Sequence, residues 1–256
     1  MIDAHGHLED EKYDEDREEI LSNLKNDGID YFFNCGSNIE TSKKTVEIAK
    51  NYENVYGIVG IHPHDSKEAT KENLDIIEEL AKEPKIVAIG EIGLDFHFDD
   101  RESDKIQKDC FISQLELADR LDMPVVIHSR DADNETYEIL SKFKEIHPNL
   151  VAVLHCYSGD VELLEKYMDL GFYITMGGVV TFKNAEVTRE VAKAVPLDRI
   201  MLETDCPYLT PVPYRGKRNE PKNVRNTCEK IAEIKGISLE ELEKHTDENA
   251  FRFYRI

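Results

Sequence analysis

The chain has 256 residues, of which 53 are acidic and 32 are basic, so its formal net charge is −21. Aliphatic and aromatic residues make up 40% of the chain, which excludes a wholly disordered protein, and the 13 glycines and 9 prolines exclude a collagen-like repeat. No stretch approaches the roughly 18 apolar residues of a membrane span, and the first residues lack a signal-peptide pattern, so we expect a soluble, cytoplasmic protein without a membrane partner.

Short apolar runs alternate with longer amphipathic stretches along the whole chain. In chain order, the predicted strands are Ile2–His5, Asp30–Asn34, Val55–Ile61, Ile86–Gly90, Val125–His128, Val151–His155, Phe172–Thr175 and Ile200–Glu203. The predicted helices are Asp14–Asp27, Glu40–Asn51, Lys71–Lys82, Lys105–Leu121, Asn134–Ile146, Val161–Leu170, Ala185–Val195 and Val224–Lys235, followed by a final pair, Leu239–His245 and Glu248–Tyr254.

This alternation predicts the fold class. Strand–helix units repeated about eight times in roughly 250 residues are typical of an α/β protein with a (β/α)8 TIM barrel. An open doubly wound sheet shows the same alternation and stays the alternative, because a sequence pattern cannot show that a sheet closes. No linker rich in proline, glycine or serine divides the chain, so residues 1–256 are predicted to form a single domain.

Histidines and carboxylates stand where the predicted strands end. These residues are His5, His7, Glu91, His128, His155 and Asp205. In a parallel barrel the carboxyl ends of all strands meet at one rim, which is where active sites of this fold lie. Each residue alone has an ordinary explanation, such as a core histidine bonded to a carbonyl group. Six of them at the same end of the strands favour a common site.

The donor types indicate metal binding. A set of imidazoles and carboxylates suits zinc, manganese, cobalt or nickel better than a magnesium-only oxygen cage. Six ligands exceed what one tetrahedral ion needs, which points to two divalent ions per chain, with zinc, manganese, magnesium, cobalt and nickel left open. The five cysteines contain no CxxC pair, so a zinc ribbon is excluded and free thiols in a reducing compartment are expected.

Six short motifs carry a more specific signal. They are HGH at 5–7, GIHPH at 60–64, GEIGLD at 90–95, IHSR at 127–130, HCYSG at 155–159 and ETDCPYL at 203–209. In this order they resemble the motif series of the TatD-type metal-dependent deoxyribonucleases, which are amidohydrolase-like TIM-barrel hydrolases. The match extends from residue 2 to residue 250. One difference is Gly6, where the family often has cysteine, and this position is expected to point away from the metals.

The resemblance implies a role for each matching residue. The implied ligands are His5, His7 and Asp205 for one ion and His128 and His155 for the other, with Glu91 bridging both. Glu91 and Asp205 are the predicted catalytic residues, and Asp205 would take the proton of the attacking water. His64 is expected to lie near the substrate phosphate rather than to bind metal.

A basic segment bears on the substrate. Residues 215–230 contain six basic and two acidic side chains, a local net charge of +4 in an acidic protein. The predicted phosphate contacts are Arg215, Lys217 and Arg218 of this segment, together with His64 and Arg130. Tyr157, Tyr208 and Tyr214 lie near the same motifs and are candidates for stacking on bases, although packing explains each equally well.

The favoured function is hydrolysis of DNA phosphodiester bonds by two metal ions, as a 3′→5′ exodeoxyribonuclease acting on single-stranded or frayed ends. The alternative is a metal-dependent amidohydrolase or esterase, such as an aminoacyl-tRNA deacylase, because the same activated water serves either reaction. A non-catalytic metal-binding protein is a further alternative, against which the complete ligand set argues. We expect a monomer. Because the net charge repels polyanions, its DNA substrate must be attracted locally, by the metals and the basic segment.

Overall fold

Eight short strands form one parallel sheet in the computed structural model, which describes residues 1–256. They are β1 (Ile2–Gly6), β2 (Tyr31–Cys35), β3 (Val55–Val59), β4 (Ile86–Asp95), β5 (Val125–Arg130), β6 (Ala152–Leu154), β7 (Tyr173–Met176) and β8 (Ile200–Leu202). Each strand pairs with the next one along the chain. Just beyond β8, the backbone N–H of Asp205 donates to the carbonyl of His5 at 3.0 Å, and that of His7 donates to Cys206 at 2.7 Å. The sheet is therefore a nearly closed barrel, which confirms the predicted TIM barrel.

Helices connect the strands. They are α1 (Arg17–Asn23), α2 (Ile39–Asn51), α3 (Lys71–Ala81), α4 (Asp104–Leu121), α5 (Asp133–Ile146), α6 (Val161–Asp169), α7 (Glu186–Ala194), α8 (Val224–Lys235) and α9 (Leu239–Tyr254). Several begin at a side chain that accepts a hydrogen bond from the first turn, as Asn38 does for α2 and Ser103 for α4. No helix combines the length and the apolar character that a membrane crossing requires.

The barrel interior is filled from every strand. Inward-facing residues such as Phe33, Ile58, Val126 and Met201 pack into one buried cluster. The last turn of α9 adds Tyr254 to this cluster, and its hydroxyl donates to the carbonyl of Ala4 at 2.8 Å. A larger apolar layer lies between the strands and the helices. None of the six predicted ligands belongs to either apolar cluster.

The predicted end of β4 at Gly90 is wrong, because the strand continues to Asp95 and pairs with β5 as far as Arg130. Gly93 explains the continuation. Its φ is +143°, and a Cβ there would lie 2.0 Å from the carbonyl oxygen of His128, so only glycine fits this close approach of the two strands. The longer strand places Glu91 at the rim and ends at a second carboxylate, that of Asp95.

The helix predictions at the two ends of the chain differ most from the structure. The final pair is one helix, α9, in which Thr246 and Asp247, the residues between the two predicted segments, are helical and find hydrogen-bond partners for their side chains. Thr246 donates to the carbonyl of Glu243 at 3.0 Å, and Asp247 accepts from the backbone N–H of Ile2 at 2.9 Å. The helix predicted for Asp14–Asp27 is shortened to α1, since the preceding residues form turns that bury the ring of Tyr13.

Candidate metal centre

Glu91 lies at the centre of the carboxyl rim, and its two oxygens face different imidazoles. Oε1 is 2.6 Å from Nδ1 of His128 and 2.6 Å from Nε2 of His155. Oε2 is 3.6 Å from Nε2 of His5 and 3.7 Å from Nε2 of His7. Glu91 therefore lies between two groups of nitrogen donors, one facing each of its oxygens.

Asp205 completes one side of this centre. It follows β8 in the left-handed region, with φ at 53°, a conformation that aspartate adopts more readily than most residues. Its Oδ1 lies 3.4 Å from Nε2 of His7 and 3.8 Å from Nε2 of His5. All six side chains predicted as ligands from the sequence therefore converge on one centre.

The chemistry of the donors fits divalent cations. His7 Nδ1 lies 2.7 Å from the carbonyl oxygen of Cys35, which can only accept, so Nδ1 carries a proton and Nε2 is the nitrogen that faces the centre. The Nε2 atom of His5 lies 3.2 Å from Nε2 of His7, and the buried Nδ1 of His5 has no hydrogen-bond partner. In each of two groups, His5–His155–Asp205 and His62–Glu91–His128, the ligand atoms lie within 4.8 Å of one another.

Buried carboxylates stand behind three of the histidines. The pairs are Glu9 with His7 at 3.3 Å, Asp95 with His128 at 3.1 Å and Glu203 with His155 at 3.6 Å. Such carboxylates orient ligand imidazoles and raise their basicity in metal sites. Sequence reasoning missed all three, although Asp95 and Glu203 stand inside the GEIGLD and ETDCPYL motifs, where they could have been noticed.

Burial and charge shift the pKa values at the centre in opposite directions. Burial raises the pKa of Glu91, but His155, His62 and His128 outweigh it, so this pKa lies well below its usual value. Burial likewise raises the pKa of Asp205, and the neighbouring imidazoles of His7, His155 and His5 bring it below its usual value. Burial lowers the pKa of His7, yet Asp205 and Glu9 hold it well above 6.5. The carboxylates are thus charged, and imidazolium groups balance them in the way that divalent ions would.

His62 is a site residue that the sequence did not single out, two residues before His64. Its Nδ1 accepts from the backbone N–H of His64 at 3.2 Å, so its proton must sit on Nε2, which points to Glu91 Oε1 at 3.7 Å. Burial and the neighbouring His128 hold the pKa of His62 well below 6.5. This neutral imidazole therefore offers the centre an N–H donor instead of a lone pair. His64 itself is half-exposed, with Nε2 3.1 Å from Asp95.

Two of the predicted phosphate contacts keep a free guanidinium group. Among the arginines, only Arg130 and Arg215 make neither an ion pair nor a side-chain hydrogen bond. Instead, they lie over the rings of Phe98 at 5.2 Å and Phe182 at 3.7 Å. Lys217 has no carboxylate partner either, and its Nζ lies 5.8 Å from the ring centre of Tyr214. These three cations are available to an anionic ligand.

Arg218 is placed differently, because its guanidinium already has partners within the chain. Its guanidinium donates to Asp16 at 2.8 Å and to the carbonyl of Lys12 at 2.7 Å, and it lies over the ring of Tyr13. Further along the segment, Lys222, Arg225 and Lys230 pair with glutamates. Glu220 and Glu229 are already counted in the local charge of +4, and pairing with Asp16 and Glu233 from outside the segment reduces it by half, to the charges of Arg215 and Lys217.

The three tyrosines named as stacking candidates also differ. Tyr157 is buried and donates to the carbonyl of Asp160 at 2.9 Å, so it belongs to the packing. Tyr208 and Tyr214 are 46% and 43% exposed, and the ring centre of Tyr208 lies 6.5 Å from that of His7. Only these two keep a ring surface open to a ligand.

Gly6, between the first two histidines, faces the neighbouring core. A Cβ at this position would lie 2.9 Å from Sγ of Cys206 and 2.9 Å from the ring of Phe32. Both of those side chains are fully buried, so a larger residue would require them to move. Packing against Cys206 and Phe32 therefore accounts for this glycine.

Comparisons with known proteins agree over the whole chain. The family described as TatD related DNase matches residues 2–255. The metal-dependent hydrolase YabD of Bacillus subtilis is 41% identical over 256 residues, which cover 100% of this chain and 99% of the relative. The 3′-5′ ssDNA/RNA exonuclease TatD of Klebsiella pneumoniae is 32% identical, covering 100% and 98%. The crystal structure of YjjV, a TatD homologue from Escherichia coli K12, has a TM-score of 0.93 at 27% identity and covers 100% and 98%.

Proposed function

Because the chain belongs to the family of TatD-related DNases and is a metal-dependent hydrolase, we propose that it cleaves DNA phosphodiester bonds as a 3′→5′ exonuclease on single-stranded or frayed ends. The observation that carries this proposal is the position of Glu91, whose two oxygens face separate groups of imidazoles at 2.6 Å and about 3.6 Å. A centre of this kind suits an anionic phosphodiester, whose charge two cations can neutralise.

The proposed ligands are His5, His7 and Asp205 for one divalent ion and His128 and His155 for the other, with Glu91 between them. When bound, the two ions would lower the pKa of an attacking water and offset the negative charge that develops on the phosphoryl oxygens. The candidate ions are zinc, manganese, magnesium, cobalt and nickel.

Other residues act directly on protons and on the substrate. Asp205 is charged, as its lowered pKa indicates, and its Oδ1 faces the centre, so it can accept the proton of the attacking water. His62 supplies an N–H donor for a phosphoryl oxygen. At the rim, His64, Arg130, Arg215 and Lys217 would contact phosphates.

The setting of the reaction is proposed on two observations. All five cysteines are free thiols, which suits a reducing compartment such as the cytoplasm. One chain supplies every proposed ligand, which supports the proposal of an active monomer.

The polarity of cleavage rests on similarity to a relative whose name states 3′-5′ exonuclease activity.

The test is hydrolysis of single-stranded oligonucleotides labelled at either the 3′ or the 5′ end. Protein stripped of metal is reloaded with each candidate ion in turn, and bound metal is measured by elemental analysis. We expect up to two ions per chain and a 5′-labelled ladder that shortens from the 3′ end. Asp205→Asn serves as the inactive control. No cleavage with any ion, together with hydrolysis of aminoacyl esters, would favour the amidohydrolase or esterase alternative.

A further inference from the structure

Phe98 is an exposed aromatic residue beside the candidate metal centre. It lies in the loop between β4 and α4, and 42% of its surface is open to solvent. The ring of His64 meets it edge-on, with 5.2 Å between the ring centres, and His64 is bonded to Asp95, which also holds the proposed ligand His128. The Phe98 ring is therefore only a few side chains away from the reacting centre.

Polar contacts hold the loop around Phe98. The backbone N–H of Phe96 donates to the carbonyl of Arg130 at 2.9 Å, and that of His97 donates to Asp95 at 2.9 Å. Arg101 donates to the carbonyl of Phe98 itself at 3.2 Å. These bonds fix the backbone from the ends of β4 and β5, so the ring is held at the rim although the apolar core does not enclose it.

Arg130 places a positive charge on the same ring. Its guanidinium carbon lies 5.2 Å from the ring centre of Phe98, and it has no carboxylate partner in a chain with a net charge of −21. A free cation next to an exposed ring is the combination by which proteins hold single-stranded nucleic acid. The cation pairs with a phosphate while the ring stacks on a base.

We propose that Phe98 is a stacking platform for one nucleobase next to the scissile phosphodiester, and that Arg130 pairs with the adjacent phosphate. This inference rests on the proposed function, because it requires a nucleic-acid substrate. A phenyl ring offers no hydrogen-bond donor or acceptor, so any of the four bases can stack on it, whereas an abasic nucleotide cannot. The platform therefore favours intact single strands without sequence preference.

The experiment removes the ring and the base separately. Wild-type protein, Phe98→Ala and Phe98→Tyr are given an oligothymidylate and a series in which one nucleotide, at successive distances from the 3′ end, is replaced by a reduced abasic residue. Ile146→Ala is the matched control, since Ile146 is 74% exposed and ends α5 at the opposite rim. KM and kcat for the first cleavage and the bound metal are measured for each.

We expect KM of the wild-type protein to rise about tenfold when the abasic residue occupies one position, and little elsewhere. Phe98→Ala should show this raised KM on the intact strand and be indifferent to base loss at that position, because ring and base act as a pair. Phe98→Tyr and Ile146→Ala should behave like the wild type, with equal metal content throughout.

The outcomes separate this inference from the proposed function. A wild-type KM for Phe98→Ala on the intact strand would overturn the platform while leaving DNA hydrolysis intact. The platform would also be overturned if the KM increases caused by ring loss and by base loss multiplied when both were removed. Independent contacts give additive free energies, whereas a ring stacked on that base does not. If the wild-type protein cleaves no oligonucleotide with any candidate ion, the proposed function fails and the platform fails with it.

Discussion

Glu91 is the residue on which the pair of proposed ions most depends, because its oxygens face both groups of imidazoles. Glu91→Gln keeps the shape of the side chain but removes the negative charge and leaves an amide, which is a poor bridging ligand. We expect at least one ion to be lost and turnover to fall by two or more orders of magnitude, about 3 kcal/mol of barrier. Elemental analysis and turnover on labelled oligonucleotides measure both effects.

Asp205→Asn provides the matched comparison, since Asp205 Oδ1 lies nearest to His7 and His5, whereas the oxygens of Glu91 face both groups of imidazoles. If its main role is to accept a proton, this variant should keep most of both ions while turnover is nearly abolished. Both metal-stripped variants should still fold and show a cooperative thermal transition, because the apolar barrel core does not include the rim. Near-wild-type turnover in Glu91→Gln would contradict a bridged pair of ions.

The histidine pKa values lead to a second prediction at the residue scale. Burial lowers the pKa of His155, but Glu91 and Glu203 raise it well above 6.5, and His7 behaves in the same way. Protonated imidazole cannot bind a cation, so metal binding at neutral pH must release protons, and affinity must weaken as pH falls. Calorimetry in buffers of different ionisation enthalpy measures the release. We expect the Kd to rise by up to about tenfold per pH unit for each proton displaced.

Glu9→Gln tests the cause of this pH dependence. The variant removes a carboxylate that lies 3.3 Å from His7, so the pKa of His7 should fall and fewer protons should be released on binding. A Kd that stays constant between about pH 6 and pH 8 in the wild type would show that the ligands are already unprotonated.

At the scale of elements, the segment after β8 divides into a structural part and a free part. Arg218 is committed to Asp16 and Tyr13, whereas Arg215 and Lys217 have no carboxylate partner. We expect Arg218→Ala to lower the free energy of unfolding by about 1 kcal/mol with little effect on DNA affinity. Arg215→Ala and Lys217→Ala should instead weaken DNA binding and flatten its salt dependence, with stability unchanged.

Chemical denaturation and fluorescence anisotropy with a labelled oligonucleotide separate the two parts of this segment. The binding measurement uses the Asp205→Asn background, so that the strand is not cleaved. If Arg218→Ala weakens DNA binding more than Arg215→Ala does, the ion pair with Asp16 must open on binding, and the division proposed for this segment is wrong.

The elements also show why the sequence predicted some of the site and not the rest. Each of the six proposed ligands follows an apolar run, and the parallel barrel brings such strand ends together, so a local pattern was sufficient. Asp95 was missed because its role depends on β4 continuing past Gly90, which requires the close approach of Gly93 to His128. The role of His62 depends on a tautomer set by a turn, and that of Arg218 on an ion pair 202 residues away. Neither has a local signal.

At the scale of the whole molecule, the charge distribution opposes the proposed substrate. The net charge of −21 repels a polyanion at long range, while the free cations Arg130, Arg215 and Lys217 attract it only near the rim. The range of both effects is set by the Debye length, which is about 30 Å at 0.01 M salt and about 10 Å at 0.1 M. Added salt should therefore screen the distant repulsion before it weakens the local contacts.

This difference in range predicts an unusual salt dependence of association. For metal-loaded Asp205→Asn, we expect the association rate constant for a single-stranded oligonucleotide to rise by about two- to tenfold as salt increases from 0.01 to 0.1 M, then to fall. Stopped-flow fluorescence measures the rate. Combining Arg215→Ala with Lys217→Ala is the control, which should keep the initial rise and lower the rate at every salt concentration. A rate that falls steadily from the lowest salt would mean that the rim cations and the bound ions dominate at all distances, and that the acidic surface has no part in the encounter.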